Sequence, residues 1–340
     1  MDCLKVPKSE GERIRRYLIE NDMLYREGKI KTEEDHIFLP IEEKRIDEIE
    51  ELEYEIVDKD LEIREKPERD YKELLEVPQE LEEYLPASYD IIGDIALVKI
   101  PDELEGYQEK IGEAILGTHK NLQTVFEDRG VYGEFRTRDV RHIAGDNKTD
   151  TLYREYGAEF EVDVEGAYFS PRLATERWRV VEKTQKGESI LDMFAGVGPY
   201  TVLIGRNVEV EHISSIDINP KAVRYLKKNV RRNGLDGVVT VYEGDAEDIA
   251  PRLAADRIIM NLPHSSRNFI GSALSAIEAE GTIHYYEIVE EEKKEESLKS
   301  LIDGIEKEGY TAKIIEERDV RTYSASKVHV AYDILAEEEK

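Results

Sequence analysis

Four acid- or amide-bearing turns, each at the end of a strand-like run, hold the residues of this sequence that could do chemistry. Ser189-Ile190-Leu191-Asp192 is a short apolar run closed by an acid, and Met193-Phe194-Ala195-Gly196-Val197-Gly198-Pro199-Tyr200 follows it. Such a run reads as a buried parallel strand. Gly196 and Gly198 let backbone amides approach a ligand with no side chain between, and Pro199 pre-sets the first residue of a helix. Ile216-Asp217-Ile218-Asn219-Pro220 ends the next strand-like segment, where its acid would meet a ribose diol. Gly244-Asp245-Ala246 closes a third segment, 238–242, and Asn261-Leu262-Pro263 follows a fourth, 257–260.

A strand, a glycine turn, a helix and an acid about 20 residues further on suit two cofactors, a dinucleotide and S-adenosylmethionine. The dinucleotide fingerprint requires a third glycine, and Thr201 stands in its place. An Asn-x-Pro after the fourth strand has no part in hydride transfer, whereas in methyl transfer to a base it can reach the acceptor. The residues therefore favour S-adenosylmethionine.

The elements that must position these groups form an α/β chain. From 167 to 340 strands and helices alternate, which predicts a Rossmann-like, doubly wound domain with a mostly parallel sheet, finished by an antiparallel pair at 311–317 and 327–335. Two smaller α+β domains precede it. Residues 1–60 predict a strand at 4–6, then a helix with Ser9 as N-cap and Ile14, Tyr17, Leu18 and Leu24 at helical spacing, then strands at 36–41 and 54–58. Residues 61–70 are charged and contain a proline, and read as an exposed linker. Residues 71–166 predict a helical stretch ending near Pro86, a strand at 90–100, a helix at 102–116, an arginine-rich segment at 131–145, and a hairpin of 151–154 with 158–164 turned by Tyr156-Gly157. Helix 220–233 aligns Lys221, Arg224, Lys228 and Arg231 on one face, either a solvated outside or an RNA contact.

The 340 residues carry a net charge of −29, awkward for binding phosphates. The charge is unevenly spread, however. Acid gathers at 42–55, 73–83, 287–296 and 337–339, and base at Arg13/Arg15/Arg16, Arg136/Arg138/Arg141 and Arg172/Arg177/Arg179. Acidic faces of this kind would suit a salty cytoplasm. No apolar run reaches membrane-spanning length, the first residues lack a signal peptide's apolar core, and the single cysteine forbids an internal disulfide or a Cys/His zinc cluster. The expectation is a cytoplasmic protein with no membrane partner and no metal.

Four motifs in order make the reading specific: Gly133-Glu134-Phe135-Arg136 with His142-Ile143-Ala144-Gly145; Tyr168-Phe169-Ser170-Pro171-Arg172-Leu173 with Glu176-Arg177; the glycine turn from Asp192; and Asn261-Leu262-Pro263. Together they resemble the archaeal and eukaryotic type of tRNA (guanine-37-N1)-methyltransferase, a class I enzyme dependent on S-adenosylmethionine, in its archaeal form with an extra N-terminal domain. The resemblance runs from Cys3-Leu4-Lys5 through Ile283-His284-Tyr285-Tyr286. It implies methyl transfer to N1 of the guanine 3′ of the anticodon. Glu176 would be the general base, Arg136 the stabiliser of charge on O6, and Asn261 the amide that positions the base. Cofactor contacts would come from Tyr168, Arg172, Asp192, Phe194, Gly196, Gly198, Asp217, Asn219, Asp245, Ala246 and Asn261, and RNA contacts from Arg13, Arg16, Arg138 and Arg177. The expected partner is tRNA, met at its anticodon loop and, through residues 1–60, at its outer corner, by a monomer. The sequence departs from the family at His264-Ser265-Ser266, where a residue and then Ser-Ala is common. Related readings are a wybutosine-pathway aminocarboxypropyltransferase and a methyltransferase that also acts on a wyosine precursor. A non-catalytic tRNA-binding module is disfavoured by the intact acid, arginine and amide.

Overall fold

The structure, a computed structural model, describes residues 1–340 apart from 9, 26, 27, 34, 51, 53, 60, 62–69, 134, 325 and 340, and apart from the side chains of 20, 43, 47 and 50. Ser9 and most of the expected linker lie outside the described residues. The chain divides into two compact units, Met1–Glu76 with Gly117–His119, and Val77–Leu116 with Lys120–Lys340.

In the first unit β1 (Asp2–Pro7), α1 (Gly11–Glu20), β2 (Lys31–Glu33), β3 (His36–Pro40), α2 (Ile46–Glu50) and β4 (Glu55–Asp58) build an antiparallel sheet of order β2-β3-β1-β4. Alternate residues of β1 meet Ile14 and Leu18 of α1 in a core completed by Leu39, Ile41 and Ile49. Leu24, expected on the helix, instead bridges to Ile41, because α1 stops at Glu20. Leu61, placed in the linker by its charged neighbours, is buried against Cys3 and Phe38.

The second unit opens with a four-stranded sheet of order β5-β6-β7-β8, made of β5 (Asp90–Ile92), β6 (Ile95–Val98), β7 (Thr124–Tyr132) and β8 (Thr137–Gly145), with α3 (Gln108–Thr118) between β6 and β7. Three expectations are corrected here. The stretch before Pro86 forms two short 3-10 turns, Tyr71–Leu74 at the end of the first unit and Gln79–Tyr84 in the second, since Pro78 cannot donate within a continuous helix. The strand at 90–100 is a hairpin: Ile92 pairs with Ile95 across Gly93-Asp94, and Gly93 adopts φ +59. The helix at 102–116 starts only at Gln108, after Gly106 takes φ +89. The hairpin of β9 (Asp150–Glu155) and β10 (Ala158–Asp163) turns at Tyr156-Gly157, both with positive φ, as the sequence predicts.

The remaining elements are α4 (Ala174–Lys183), β11 (Ser189–Asp192), α5 (Pro199–Asn207), β12 (His212–Asp217), α6 (Pro220–Arg232), β13 (Val239–Glu243), α7 (Ala246–Ile249), β14 (Arg257–Met260), α8 (Ile270–Leu274), β15 (Glu280–Glu290), α9 (Lys294–Lys307), β16 (Tyr310–Thr322) and β17 (Lys327–Glu338). They form a seven-stranded sheet of order β13-β12-β11-β14-β15-β17-β16, with β11 to β15 parallel and the last two strands antiparallel. This is the Rossmann-like arrangement of class I methyltransferases. Because strand side chains alternate, each strand feeds two layers. Ile190, Ile213, Ile259, Tyr286 and Ala331 pack with α4, α5 and α6, while Leu191, Ile258, Met260, Ile283, Tyr285 and Val330 pack with residues of α8 and α9. The order β12-β11-β14 puts the reversal of strand order beside β11, where open α/β sheets bind ligands at the carboxyl ends of their strands.

Candidate active site

The glycine turn is built by its neighbours on both sides. Ala195 N–H donates to the Ile216 carbonyl at 2.8 Å and Gly196 N–H to Asp217 Oδ2 at 2.6 Å, so the turn is tied to the end of β12. Gly196 and Gly198 take φ +57 and +87, and a Cβ on Gly198 would stand 2.4 Å from Leu226 Cδ1. Thr201, in the place of a third glycine, is fully buried and its hydroxyl donates to Asp192 Oδ2 at 2.8 Å. A dinucleotide loop has no use for that side chain. Here it fixes the carboxyl.

Asp192 has no accessible surface, and its Oδ1 has no well-aligned donor among the described residues. Burial, with the nearby Asp217 adding to it against the Thr201 bond, pushes its pKa up to about 7. A buried acid with an orphaned oxygen at the mouth of a glycine turn suits a cationic group of a ligand. Asp217 accepts from the amides of Gly196 and, at 2.8 Å, Asn219, and burial raises its pKa. Its remaining lone pairs can take a diol. Asp245 is half-buried at the end of β13 and caps α7 by accepting from Glu247 N–H at 2.9 Å, with Ala246 buried behind it. Phe194 meets Phe269 edge-on at 5.0 Å. The donor set and the bare turn therefore fit S-adenosylmethionine.

Glu176 lies in the first turn of α4, 3 % exposed. Arg179, one turn on, grips it: Nη2 donates to Oε1 at 2.7 Å, and Nε stands 3.0 Å from both oxygens. Tyr286 of β15 donates to the same Oε1 at 2.7 Å and receives the Tyr200 hydroxyl at 3.2 Å. On its far side Arg179 donates to Asp333 of β17 at 2.5 and 3.0 Å. His284 continues the chain, with Asp333 Oδ1 2.7 Å from Nδ1 and Arg257 Nη1 2.7 Å from Nε2. Since arginine only donates, Nε2 accepts and Nδ1 carries the proton. Burial lowers the His284 pKa against the pull of Asp333, so the ring is neutral. Burial would raise Asp333, but bonds from His284 and Arg179 outweigh it and hold the acid well below its ordinary range. Arg257 closes the chain on Glu188 at 2.7 and 2.9 Å.

Sheet register brings the expected amide to the same place. Met260 pairs with Tyr285, so one residue further Asn261 stands level with Tyr286, on the face that α4 covers. Asn261 is half-buried and its amide makes no hydrogen bond among the described residues. The loop beyond it is turned by Ser266, whose hydroxyl bonds the Met260 carbonyl at 2.9 Å, and is pinned to β15 where Ile288 N–H meets the Pro263 carbonyl at 2.9 Å.

Arg136 sits between β7 and β8 with φ +51, a backbone conformation that arginine rarely adopts. Its guanidinium lies 5.9 Å from the Tyr168 ring, and the Tyr168 carbonyl is 3.7 Å from where a Cβ on Gly196 would be. Arg136 also bears on His264, whose pKa falls through burial first and then through Arg136 and Lys327. Tyr323 packs edge-on against His264 at 5.6 Å. No hydrogen bond joins Arg136 to Glu176 or Asn261 among the described residues.

Four expected contacts are placed differently. Arg138 is buried in an ion pair with Asp128 at 2.5 Å and donates to the Phe169 carbonyl at 3.2 Å. Arg177, 1 % exposed, forks onto buried Glu155 at 2.7 and 2.5 Å. Both are corrected from RNA contacts to internal cations: Arg138 ties β8 to β7 and to Phe169, and Arg177 ties α4 to β9 and to the Ser170 carbonyl. Asn219 spends its side chain capping α6 and bonding the Gly166 carbonyl, at 2.9 Å each. Arg172 is exposed and paired with Asp90 at 2.6 Å. In the first unit, Arg13 pairs with Glu10 at 2.7 Å, and Arg16 lies on the same helix. The sequence reading gives no site role to Arg179, Tyr286, His284 or Asp333. Arg179 follows Glu176 at helical spacing and Tyr286 belongs to a quoted motif, but nothing local marks Asp333.

Residues 3–50 match the tRNA methyltransferase 5 N-terminal domain, 71–149 the TYW2 N-terminal domain, and 151–314 the TRM5/TYW2 methyltransferase domain. The chain is 40% identical to tRNA (guanine(37)-N(1))-methyltransferase Trm5b of Pyrococcus abyssi, over 97% of this chain and 98% of that one. A crystal structure of Pyrococcus abyssi Trm5b superposes with a TM-score of 0.73 at 39% identity, covering 99% of both chains. The complex of aTrm5 with tRNALeu superposes at 0.69 with 35% identity, over 98% of this chain and 99% of that one. A tRNA(Phe) (4-demethylwyosine(37)-C(7)) aminocarboxypropyltransferase of Methanocaldococcus jannaschii is 31% identical over 72% of this chain and 96% of its own. With 40% identity running nearly end to end along both chains, this chain belongs to the TRM5/TYW2 methyltransferase family, on its Trm5b branch.

Proposed function

We propose that this chain moves the methyl group of S-adenosylmethionine to N1 of guanine 37 in tRNA, beside the anticodon. The observation that carries the reading is one sheet face that holds Asp192, Tyr286 and the level of Asn261 beneath the helix bearing Glu176, in a chain similar to Trm5b along 97% of its length. The aminocarboxypropyltransferase relative covers 72% of this chain, so the longer likeness favours the methyltransferase.

When bound, S-adenosylmethionine supplies an electrophilic methyl group on a sulfonium. Asp192 would meet the cationic end of its amino-acid part, Asp217 the ribose hydroxyls and Asp245 the adenine edge. N1 of neutral guanine carries a proton and has no free lone pair. Glu176 removes that proton as the methyl arrives, Arg136 offsets the negative charge that grows on O6, and Asn261 donates and accepts along the base edge. The guanine must leave the anticodon-loop stack to reach this pocket.

Three domains divide the work: 1–60 reads the outer corner of the tRNA through Arg13 and Arg16, 71–166 supplies Arg136, and 167–340 holds cofactor and base. The chain works as a monomer in the cytoplasm. Among the described residues no helix is long and apolar enough to cross a membrane.

The test is to incubate the full chain with methyl-tritiated cofactor and unmodified tRNA and digest the product to nucleosides. Label in 1-methylguanosine supports the reading; label transfer only to a tRNA carrying a wyosine precursor, or none at all, overturns it. Removing 1–60 should slow methylation at limiting tRNA while leaving cofactor affinity unchanged.

A further inference from the structure

Glu176 is an unusual place for a base to stand. A carboxylate forked by arginine is normally a structural partner, because the pair stabilises the ion that proton uptake would destroy. The geometry separates its two oxygens. Oε1 takes Arg179 Nη2 at 2.7 Å and the Tyr286 hydroxyl at 2.7 Å, besides its share of Nε. Among the described residues, Oε2 has only the shared Nε at 3.0 Å and the more distant Arg318 Nε at 3.8 Å. Oε2 is thus the oxygen with open lone pairs. It is also the one nearest a side chain that reaches solvent, since Arg318 is 44 % exposed.

Arg179 does not belong to Glu176 alone. Asp333 accepts from both of its terminal nitrogens and is fixed in turn by His284 and by Lys183 at 3.0 Å. Glu176 and Asp333 therefore share one guanidinium, with Glu316 more distant from it at 3.7 Å, and a neutral imidazole backs Asp333. If Glu176 takes a proton, Arg179 keeps Asp333 as its counter-ion, and no uncompensated charge is left buried.

We propose, building on the assignment of Glu176 as the base, that Tyr286 and Asp333 are positioning residues for it: Tyr286 holds Oε1 so that Oε2 faces the guanine, and Asp333 draws Arg179 back so that Oε2 can accept the proton. In the step served, the N1–H bond breaks and its electron pair remains on the ring nitrogen, which forms the bond to the methyl carbon. The proton goes to Oε2, and the methyl–sulfur pair stays on sulfur. The groups facing Glu176 are Arg179 from α4, Tyr286 from β15 with Tyr200 of α5 behind it, Arg318 from β16 and, through Arg179, Asp333 from β17 and Glu316 from β16.

The experiment is the single-turnover methylation rate of the full chain against pH, with saturating tRNA and cofactor, for wild type, Glu176→Gln, Tyr286→Phe and Asp333→Asn. Wild type should gain rate with pH along an acidic limb that Glu176→Gln abolishes. Tyr286→Phe removes a donor to the ionised acid, so its limb should move up by about one pH unit, the size expected for one hydrogen bond to a charge. Asp333→Asn removes the nearer competing acid and leaves Arg179 to Glu176 and the more distant Glu316, so its limb should move down and its plateau should fall as the base weakens. Cofactor and tRNA dissociation constants should match wild type for both. A merely structural role would lower rates without moving the limb. Limbs for Tyr286→Phe and Asp333→Asn that coincide with wild type, while Glu176→Gln is inactive, overturn this inference and leave the base assigned. A wild-type limb in Glu176→Gln overturns the base itself, and the inference with it. Should Asp333→Asn fail to fold, the Tyr286→Phe limb decides alone.

Discussion

The seven-stranded sheet has two faces drawn from the same strands; both carry an apolar core, and the face toward α4 adds a buried chain of charged groups. Toward α8 and α9 it presents Leu191, Ile258, Met260, Ile283 and Val330, a face held by burial of apolar area. Toward α4 it presents Asp192, Arg257, His284, Tyr286 and Asp333, nearly all buried and nearly all hydrogen-bonded. A one-residue step along any strand separates the two. The apolar face has no orientation to defend, and a substitution there costs only packed volume. On the polar face Arg257, His284, Asp333, Arg179 and Glu176 are each bonded to the next, so a change at Asp333 or Arg257 should be felt at the carboxylate of Glu176. Stability and chemistry are separable on one side and joined on the other.

The largest expected break is Arg179→Met. It leaves Glu176 and Asp333 buried without their shared cation and should cost about 3–5 kcal/mol in urea unfolding, along with most of the methyl-transfer rate. An unfolding free energy within experimental error of wild type would mean that the network contributes nothing to the fold. Next comes Asp192→Asn. Because the buried wild-type acid titrates at about 7, cofactor affinity should weaken as pH falls below about 7, by up to tenfold per unit, and the variant should show a flat, weak profile by calorimetry. The sign for stability is opposite. An acid held protonated in the fold and ionised in the unfolded chain makes the cofactor-free protein more stable as pH drops from about 7 toward the ordinary carboxyl range, and the variant should lose that trend.

On the apolar face Ile258→Val removes one methylene from a fully buried side chain. It should cost about 0.5–1.5 kcal/mol and leave the single-turnover rate unchanged. A rate that fell with it would erase the contrast between the faces. The smallest effect belongs to neither face. Arg172→Ala breaks an exposed pair with Asp90 and should shift unfolding by no more than about 1 kcal/mol.

The glycine turn, the acids at the strand ends and the Tyr156-Gly157 hairpin were legible in the sequence because each is a local event, fixed by residues within a few positions. The hairpin within 90–98 escaped notice although Gly93-Asp94 is a turn signal, because the apolar run around it reads equally well as one long strand. The stretch before Pro86 misled in the other direction. Its acid-rich, leucine-spaced residues imitate a helix, but Pro78 withholds the donor that would join its two turns. The arginines were least legible. Arg136, Arg138, Arg177 and Arg179 all stand near motif residues, and composition alone treats them as equivalent phosphate binders.

By itself, the sequence determined that a parallel strand would deliver an acid into a glycine turn, because dihedral preference and periodicity act over short spans of chain; the catalytic roles of the accompanying acid, arginine and amide were expected from the family resemblance alone. Tertiary structure alone decided which charges are spent inside. Arg177 meets Glu155 from 22 residues away and Arg179 meets Asp333 from 154, and a guanidinium becomes internal only when folding brings such a distant carboxylate to it and removes the water between them.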